Sequence, residues 1–178
     1  MSKNLTAWLE ATIVAAVAMA LSFIPLDINW FQISLGCVIL VLFSLRRGVT
    51  LGLVAGLVWG LLHFVTGKVY FLSVPQVLIE YVFAFAVTGL AGIVTPLFKK
   101  SPTIPWIITA TLIGVGAKYF LHYVAGVLFW AAYAPEGMSI YWYSLLVNGS
   151  SGVATAIVTI ALLGFIIKLQ PKLFLPKA

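Results

Sequence analysis

Apolar residues run through this chain in six stretches, Ala7–Ile24, Gln32–Leu45, Val49–Thr66, Pro75–Phe98, Thr103–Trp130 and Ser139–Leu169. The gaps between them carry turn residues or charge: Pro25-Leu26-Asp27, Arg46-Arg47-Gly48, Gly67-Lys68, Lys99-Lys100-Ser101-Pro102 and Pro135-Glu136-Gly137. Long apolar runs spaced this way are the pattern of membrane-crossing helices, which need about 20 residues each. The pattern predicts an all-α membrane protein of six transmembrane helices, forming a single domain over residues 1–178. The second stretch holds only 14 residues, short for a crossing at about 1.5 Å per residue. It either extends back into 29–31 or forms a short helix shielded by its neighbours.

Basic residues set the expected orientation. With the N-terminus cytoplasmic, Lys3, Arg46, Arg47, Lys99, Lys100, Lys168, Lys172 and Lys177 fall inside, and Lys68 alone falls in an outside loop. Short-looped membrane proteins keep Lys and Arg on the cytoplasmic side, so both termini are expected there. Lys3, the first apolar run and Ala18-Met19-Ala20 imitate a secretory signal. Glu10 interrupts the early run, however, and the apolar stretch continues to Ile24 past the imitation cleavage site, so it is read as a first span.

Composition sharpens this picture. Apolar residues make up 63% of the chain and charged ones 8%, with a mean hydropathy of +1.16; a soluble domain carries about 25% charged residues. The net charge of +6 is spread in pairs between apolar runs, which suits topology signals and excludes a phosphate-binding face for nucleic acid. Cys37 is the sole cysteine and His63 and His122 the only histidines, so neither an internal disulfide nor a metal-ligand spacing is offered. Around Gly67-Lys68 a phosphate-binding loop is spoiled by Leu62 at the first glycine position and Val69 at the hydroxyl position. No G-x-S-x-G elbow or H-E-x-x-H pair is present. The chain is expected to bind rather than to pump or catalyse, with no cofactor.

Three ionisable residues break the rule that charge sits between spans: Glu80, Lys118 and His122. Such groups are costly in a membrane, face a cavity or one another, and mark function. Under the expected topology all three fall in the outer half of their spans, with Lys118 and His122 on one helical face. Tyr81, Trp130, Tyr143 and Asn148 come to the same leaflet, and Trp30 and Tyr70 belong to the outer connections. A buried carboxylate needs a cationic partner, which either Lys118 or a cationic ligand would supply. Trp and Tyr faces attract cations, and Asn148 and His122 offer directional donors and acceptors. These groups suit a flat, positively charged, nitrogen-rich small molecule. Trp8, Trp106 and Tyr141 read as an interfacial belt, and His63, lacking a polar neighbour in sequence, reads as structural. Ala7, Ala11 and Ala15 recur every four residues with Ala16 and Ala20 on an adjacent stripe, and Gly52, Gly56 and Gly60 repeat the spacing. Small residues at that interval let helices approach closely.

Taken across its whole length, the chain resembles the thiamine-specific substrate-binding subunit (S-component) of an energy-coupling factor (ECF) vitamin transporter. The resemblance is carried by Trp30, Glu80-Tyr81, Lys118-x-x-x-His122, Trp130, and Tyr143-x4-Asn148, with the alanine-striped first helix. It implies capture of thiamine from outside a bacterial plasma membrane. Glu80 would face the thiazolium, Trp30, Trp130 and His122 would stack, and Tyr81, Lys118, Tyr143 and Asn148 would make polar contacts while Tyr70 helps to close the pocket. It also implies that Ala11 and Ala15 dock a separate membrane coupling subunit joined to two cytoplasmic ATPases. The residues leave two other readings open: an S-component for riboflavin or a thiamine precursor, and a small intramembrane enzyme using Glu80, Lys118 and His122 as acid and base.

Overall fold

The computed structural model describes residues 3–28 and 31–175; Trp30, and Lys177 at the C-terminal end, lie outside them. Six helical rods follow one another among the described residues. They are α1 (Lys3–Leu21), α2 (Gly36–Arg47), α3 (Val49–Val65), α4 (Val74–Lys100), α5 (Ile104–Phe129) and α6 (Ile140–Leu169). Each coincides with one of the six apolar stretches to within a few residues. Before α2, β1 (Asp27–Ile28) pairs antiparallel with β2 (Phe31–Gln32). The rods α4, α5 and α6 are each long and apolar enough to cross a membrane, and α1 and α3 are shorter apolar helices. The protein is a multi-pass membrane protein.

The short second stretch resolves in favour of a shielded helix. Its first helical residue is Gly36, because Phe31–Gln32 is extended. Nine of the twelve residues of α2 are buried, among them Leu40, Val41 and Leu45. A helix of about 18 Å can stay short when its neighbours, rather than lipid, cover its surface.

Close approach of α3 and α4 builds the middle of the bundle. A side chain at Gly56 would run into the backbone of Phe85 and Ala86, and one at Gly60 into the carbonyl of Tyr81. These glycines leave no gap between the two backbones, which is the close packing that small residues at four-residue spacing permit. Trp59, between them in sequence, is fully buried and fills the space left by Gly36.

The alanine stripe of α1 turns inward. Ala11 is 2% and Ala15 0% exposed, and α1 packs on α2 and α3. Ala11 and Ala15, expected at a partner surface, are thus buried within the chain, where their small side chains serve internal helix approach. The adjacent pair Ala16 and Ala20, with Thr12 and Ile13, is what α1 exposes.

At the end of the bundle formed by the N-termini of α1, α3 and α5, Glu10 pairs with Arg46 at 3.3 Å and Arg47 at 2.7 Å. Arg46 also donates to the carbonyls of Lys172, Leu173 and Leu175, and Phe174 is buried against Phe98 with ring centroids 5.6 Å apart. The C-terminal turn thereby covers this end of the bundle, leaving beside it an apolar surface groove of about 620 Å³ between α1, α2 and the turn.

Candidate functional site

The opposite end is open. There the C-terminal ends of α1, α3 and α5 meet the N-terminal ends of α4 and α6, and a cavity of about 710 Å³ opens between them. That volume lies within the range of small-molecule sites, about 300–1,000 Å³. Among its lining residues are Tyr70, Glu80, Tyr81, Lys118, His122, Trp130 and Asn148. Seven of the nine side chains singled out from sequence thus share one cavity.

Two local distortions deliver the polar groups. Within α4 the segment Leu78–Phe83 winds as a π-helical turn carrying Glu80 and Tyr81, and within α6 Leu145–Gly149 does the same with Asn148. Such widened turns are found mostly at functional sites because they re-aim side chains that a regular helix would carry past. Asn148 is tied by its side-chain amide to the carbonyl and hydroxyl of Ser144, both at 3.2 Å.

Glu80 is 9% exposed and both of its oxygens are engaged. The Trp130 indole donates to Oε1 at 2.8 Å, and the Gln76 side-chain amide donates to Oε2. Neither donor is charged. Among the described residues the only ion pairs are those of Glu10, so the Glu80–Lys118 pair allowed by sequence is not formed. Lys118, 4% exposed, directs its ammonium elsewhere. It donates to Nε2 of His122 at 3.1 Å and lies 4.2 Å from the centre of the Phe85 ring and 4.9 Å from that of Tyr119.

Aromatic rings roof and floor the space. At the mouth Tyr70 lies 5.1 Å from Trp130, Trp130 lies 5.3 Å from Tyr133, and the two tyrosine hydroxyls are 3.3 Å apart. Tyr133 lies in the connection after α5, and the Tyr70 hydrogen bond raises its phenol above the ordinary tyrosine value, with Tyr143 adding to the effect. Tyr81 anchors the mouth by accepting the Tyr70 backbone N–H at 3.0 Å. Deeper, Phe85 stacks on Tyr81, meets Trp59 edge-on, and touches His63 with centroids 4.5 Å apart.

Two residues named from sequence stand apart. Trp30 lies outside the described residues. Tyr143, in the first turns of α6, is not among the lining residues, and it is the Ser151 side of that helix that follows Asn148 into the cavity. His63, read as structural or interfacial, lines the cavity, with Nδ1 donating to the Trp59 carbonyl at 2.9 Å. Sequence reasoning also passed over Gln76 and Phe85, although four-residue spacing from Glu80 and from Tyr81 places each on the right helical face. Tyr119 and Ser151 join three residues from His122 and Asn148 on the same helices, and Gln32, Lys68 and Tyr133 join from connections that no spacing rule reaches.

Known proteins share this fold and sequence. Residues 8–175 match the family described as thiamine transporter protein. A curated relative, the thiamine transporter ThiT of Lacticaseibacillus paracasei, is 35% identical over 98% of this chain and 93% of its own length. ThiT of Bacillus subtilis is 28% identical over 97% and 95%. A solved structure of ThiT from Listeria monocytogenes superposes with a TM-score of 0.94 at 44% identity, covering 98% of this chain and all of that one.

Proposed function

The chain belongs to the thiamine transporter protein family, and on that premise we propose that it captures thiamine in the cavity around Glu80. In this reading residues 1–178 form one membrane domain with both termini cytoplasmic and the cavity facing out. Lys99, Lys100, Arg46, Arg47, Lys168 and Lys172 lie at the closed end and Lys68 at the open one, a distribution that supports a cytoplasmic closed end.

The observation that carries the proposal is Glu80: a buried carboxylate held only by neutral donors, beside the Trp130, Tyr70 and Tyr81 rings. A buried anion without a counter-charge is poorly stabilised until a cation arrives, and the thiazolium of thiamine is a permanent one. Trp and Tyr rings add attraction of about 2 kcal/mol or more for a desolvated cation. Lys118, His122 and Asn148 are left to hydrogen-bond the edge of the aminopyrimidine. Riboflavin, which is neutral, would leave Glu80 as it is.

Because the chain has no nucleotide-binding loop, release of the vitamin draws on other subunits: an ECF membrane coupling protein and two ATPases. The face of α1 that presents Thr12, Ala16 and Ala20 is where the coupling subunit docks, in place of the buried Ala11 and Ala15.

Titration of intrinsic tryptophan fluorescence with thiamine, and separately with riboflavin, tests the binding reading. Saturable quenching by thiamine alone is expected. Glu80→Gln should weaken thiamine about 10- to 100-fold, the worth of a hydrogen bond or contact to a charged group, while the chain stays folded. Equal affinity in that variant would remove the central electrostatic claim, and a response to riboflavin but not thiamine would replace the ligand.

A further inference from the structure

Gln76 is 0% exposed, although it sits in the first turn of α4 at the mouth of the bundle, and its side chain is fully employed. A carboxamide has two N–H donors and one carbonyl. One donor goes to Oε2 of Glu80, the other to the Tyr70 carbonyl at 3.1 Å, and the carbonyl oxygen accepts the Leu72 backbone N–H at 3.1 Å. Its own backbone N–H is capped by Ser73 at 3.3 Å. Three of these contacts reach the connection between α3 and α4, and one reaches the carboxylate.

The contacts close a ring. Gln76 holds Glu80, Glu80 accepts from Trp130, Trp130 packs on Tyr70, and the Tyr70 carbonyl returns to Gln76. The carboxamide is planar, so its two N–H groups move together. Swinging Tyr70 and Leu72 outward would turn the amide and withdraw its donor from Glu80; equally, a ligand that keeps the carboxylate in place keeps the amide in place.

We infer that Gln76 is a positioning residue that latches the Tyr70–Leu72 segment to the Glu80 carboxylate, so that ligand capture and closure of the mouth are a single event. The inference rests on the reading that Glu80 meets the cationic ligand. It assigns Gln76 no ligand contact; its effect passes through Glu80 and Tyr70.

Stopped-flow tryptophan fluorescence of the full chain in detergent, mixed with thiamine, tests it. Gln76→Met keeps the length of the side chain and removes all three hydrogen bonds. The expected result is a dissociation rate raised about tenfold with an association rate within about threefold of wild type. Combined with Glu80→Gln, Gln76→Met should add less than about twofold, because the latch acts through the carboxylate. Unchanged dissociation, or full multiplication of the two losses in the double variant, overturns the latch. A second measurement needs no variant: in the wild-type chain, hydrogen exchange at the Tyr70 and Leu72 amides should slow together when thiamine binds, and exchange unaffected by thiamine overturns the latch as well. A wild-type chain whose fluorescence ignores thiamine sinks the underlying ligand reading, a failure distinct from a wild type that responds beside an unaffected Gln76→Met.

Discussion

Two glutamates of this chain meet opposite treatment. Glu10 is clamped by the guanidinium groups of Arg46 and Arg47, which satisfies its charge and leaves it nothing to do but hold α1 to α2. Glu80 is more deeply buried and receives only an indole and an amide. Lys118 is its counterpart in the same cavity, a buried ammonium with a histidine nitrogen and ring faces for company. Holding both charges apart costs stability, since each ion has lost water without gaining a direct partner. Lys118→Met should therefore raise the melting temperature of the ligand-free chain and weaken thiamine about tenfold or more. Parallel thermal unfolding and fluorescence titration check this; a variant that is less stable and binds normally would make Lys118 a structural residue.

Two of the helices that meet at the cavity widen into π-helical turns where they present polar side chains. The π-helical turn at Leu78–Phe83 lies against α3 where Gly60 gives way to the Tyr81 carbonyl. Backbone contact there holds the widened turn, and with it the aim of Glu80 and Tyr81. Gly60→Leu should push α4 away, destabilise the fold by about 1–3 kcal/mol as overpacking does, and weaken ligand binding in the same variant. Gly164 faces open space, so Gly164→Leu serves as the control that leaves binding alone. If Gly60→Leu binds normally, the α3–α4 contact does not set the site. Along α2 the converse holds: a helix too short to span lipid is stabilised by the rods around it, and it contributes its N-terminal approach, Gln32–Leu35, to the cavity wall. The backbone N–H groups of Gln32 and Ser34 are fastened to Ser151 and Thr155 of α6, each at 3.1 Å.

The molecule as a whole has one closed end, clasped by Arg46 and the C-terminal turn, and one open end with the cavity. That polarity fits a subunit that takes a ligand on one side and relies on others to release it on the far side. The two faces of α1 then make separable predictions. Ala16→Trp, on the exposed face, should leave thiamine affinity within about twofold and abolish uptake in cells supplying the partner subunits. Ala15→Trp, at a position with 0% exposure, should destabilise the chain itself by about 1–3 kcal/mol or more. Uptake assays beside binding titrations distinguish the two; undiminished uptake with Ala16→Trp would move the docking face off α1.

Six helices, their approximate boundaries and seven residues of the cavity wall were legible in the sequence. The reason is that lipid imposes a simple rule: a span must be apolar, so Glu80, Lys118 and His122 stand out as candidates for a site. Periodicity could say that Ala11 and Ala15 share a face but not which face, since in a chain apolar all round inside and outside look alike; the tertiary structure turned them inward. Nor could it say that Lys118 would turn from Glu80 to His122, that His63 would reach the cavity, or that Gln76 would join the carboxylate to the mouth. Those outcomes depend on where two π-helical turns fall and how closely α3 meets α4. They are set by contacts between residues distant in the chain, and only folding brings such residues within hydrogen-bonding range.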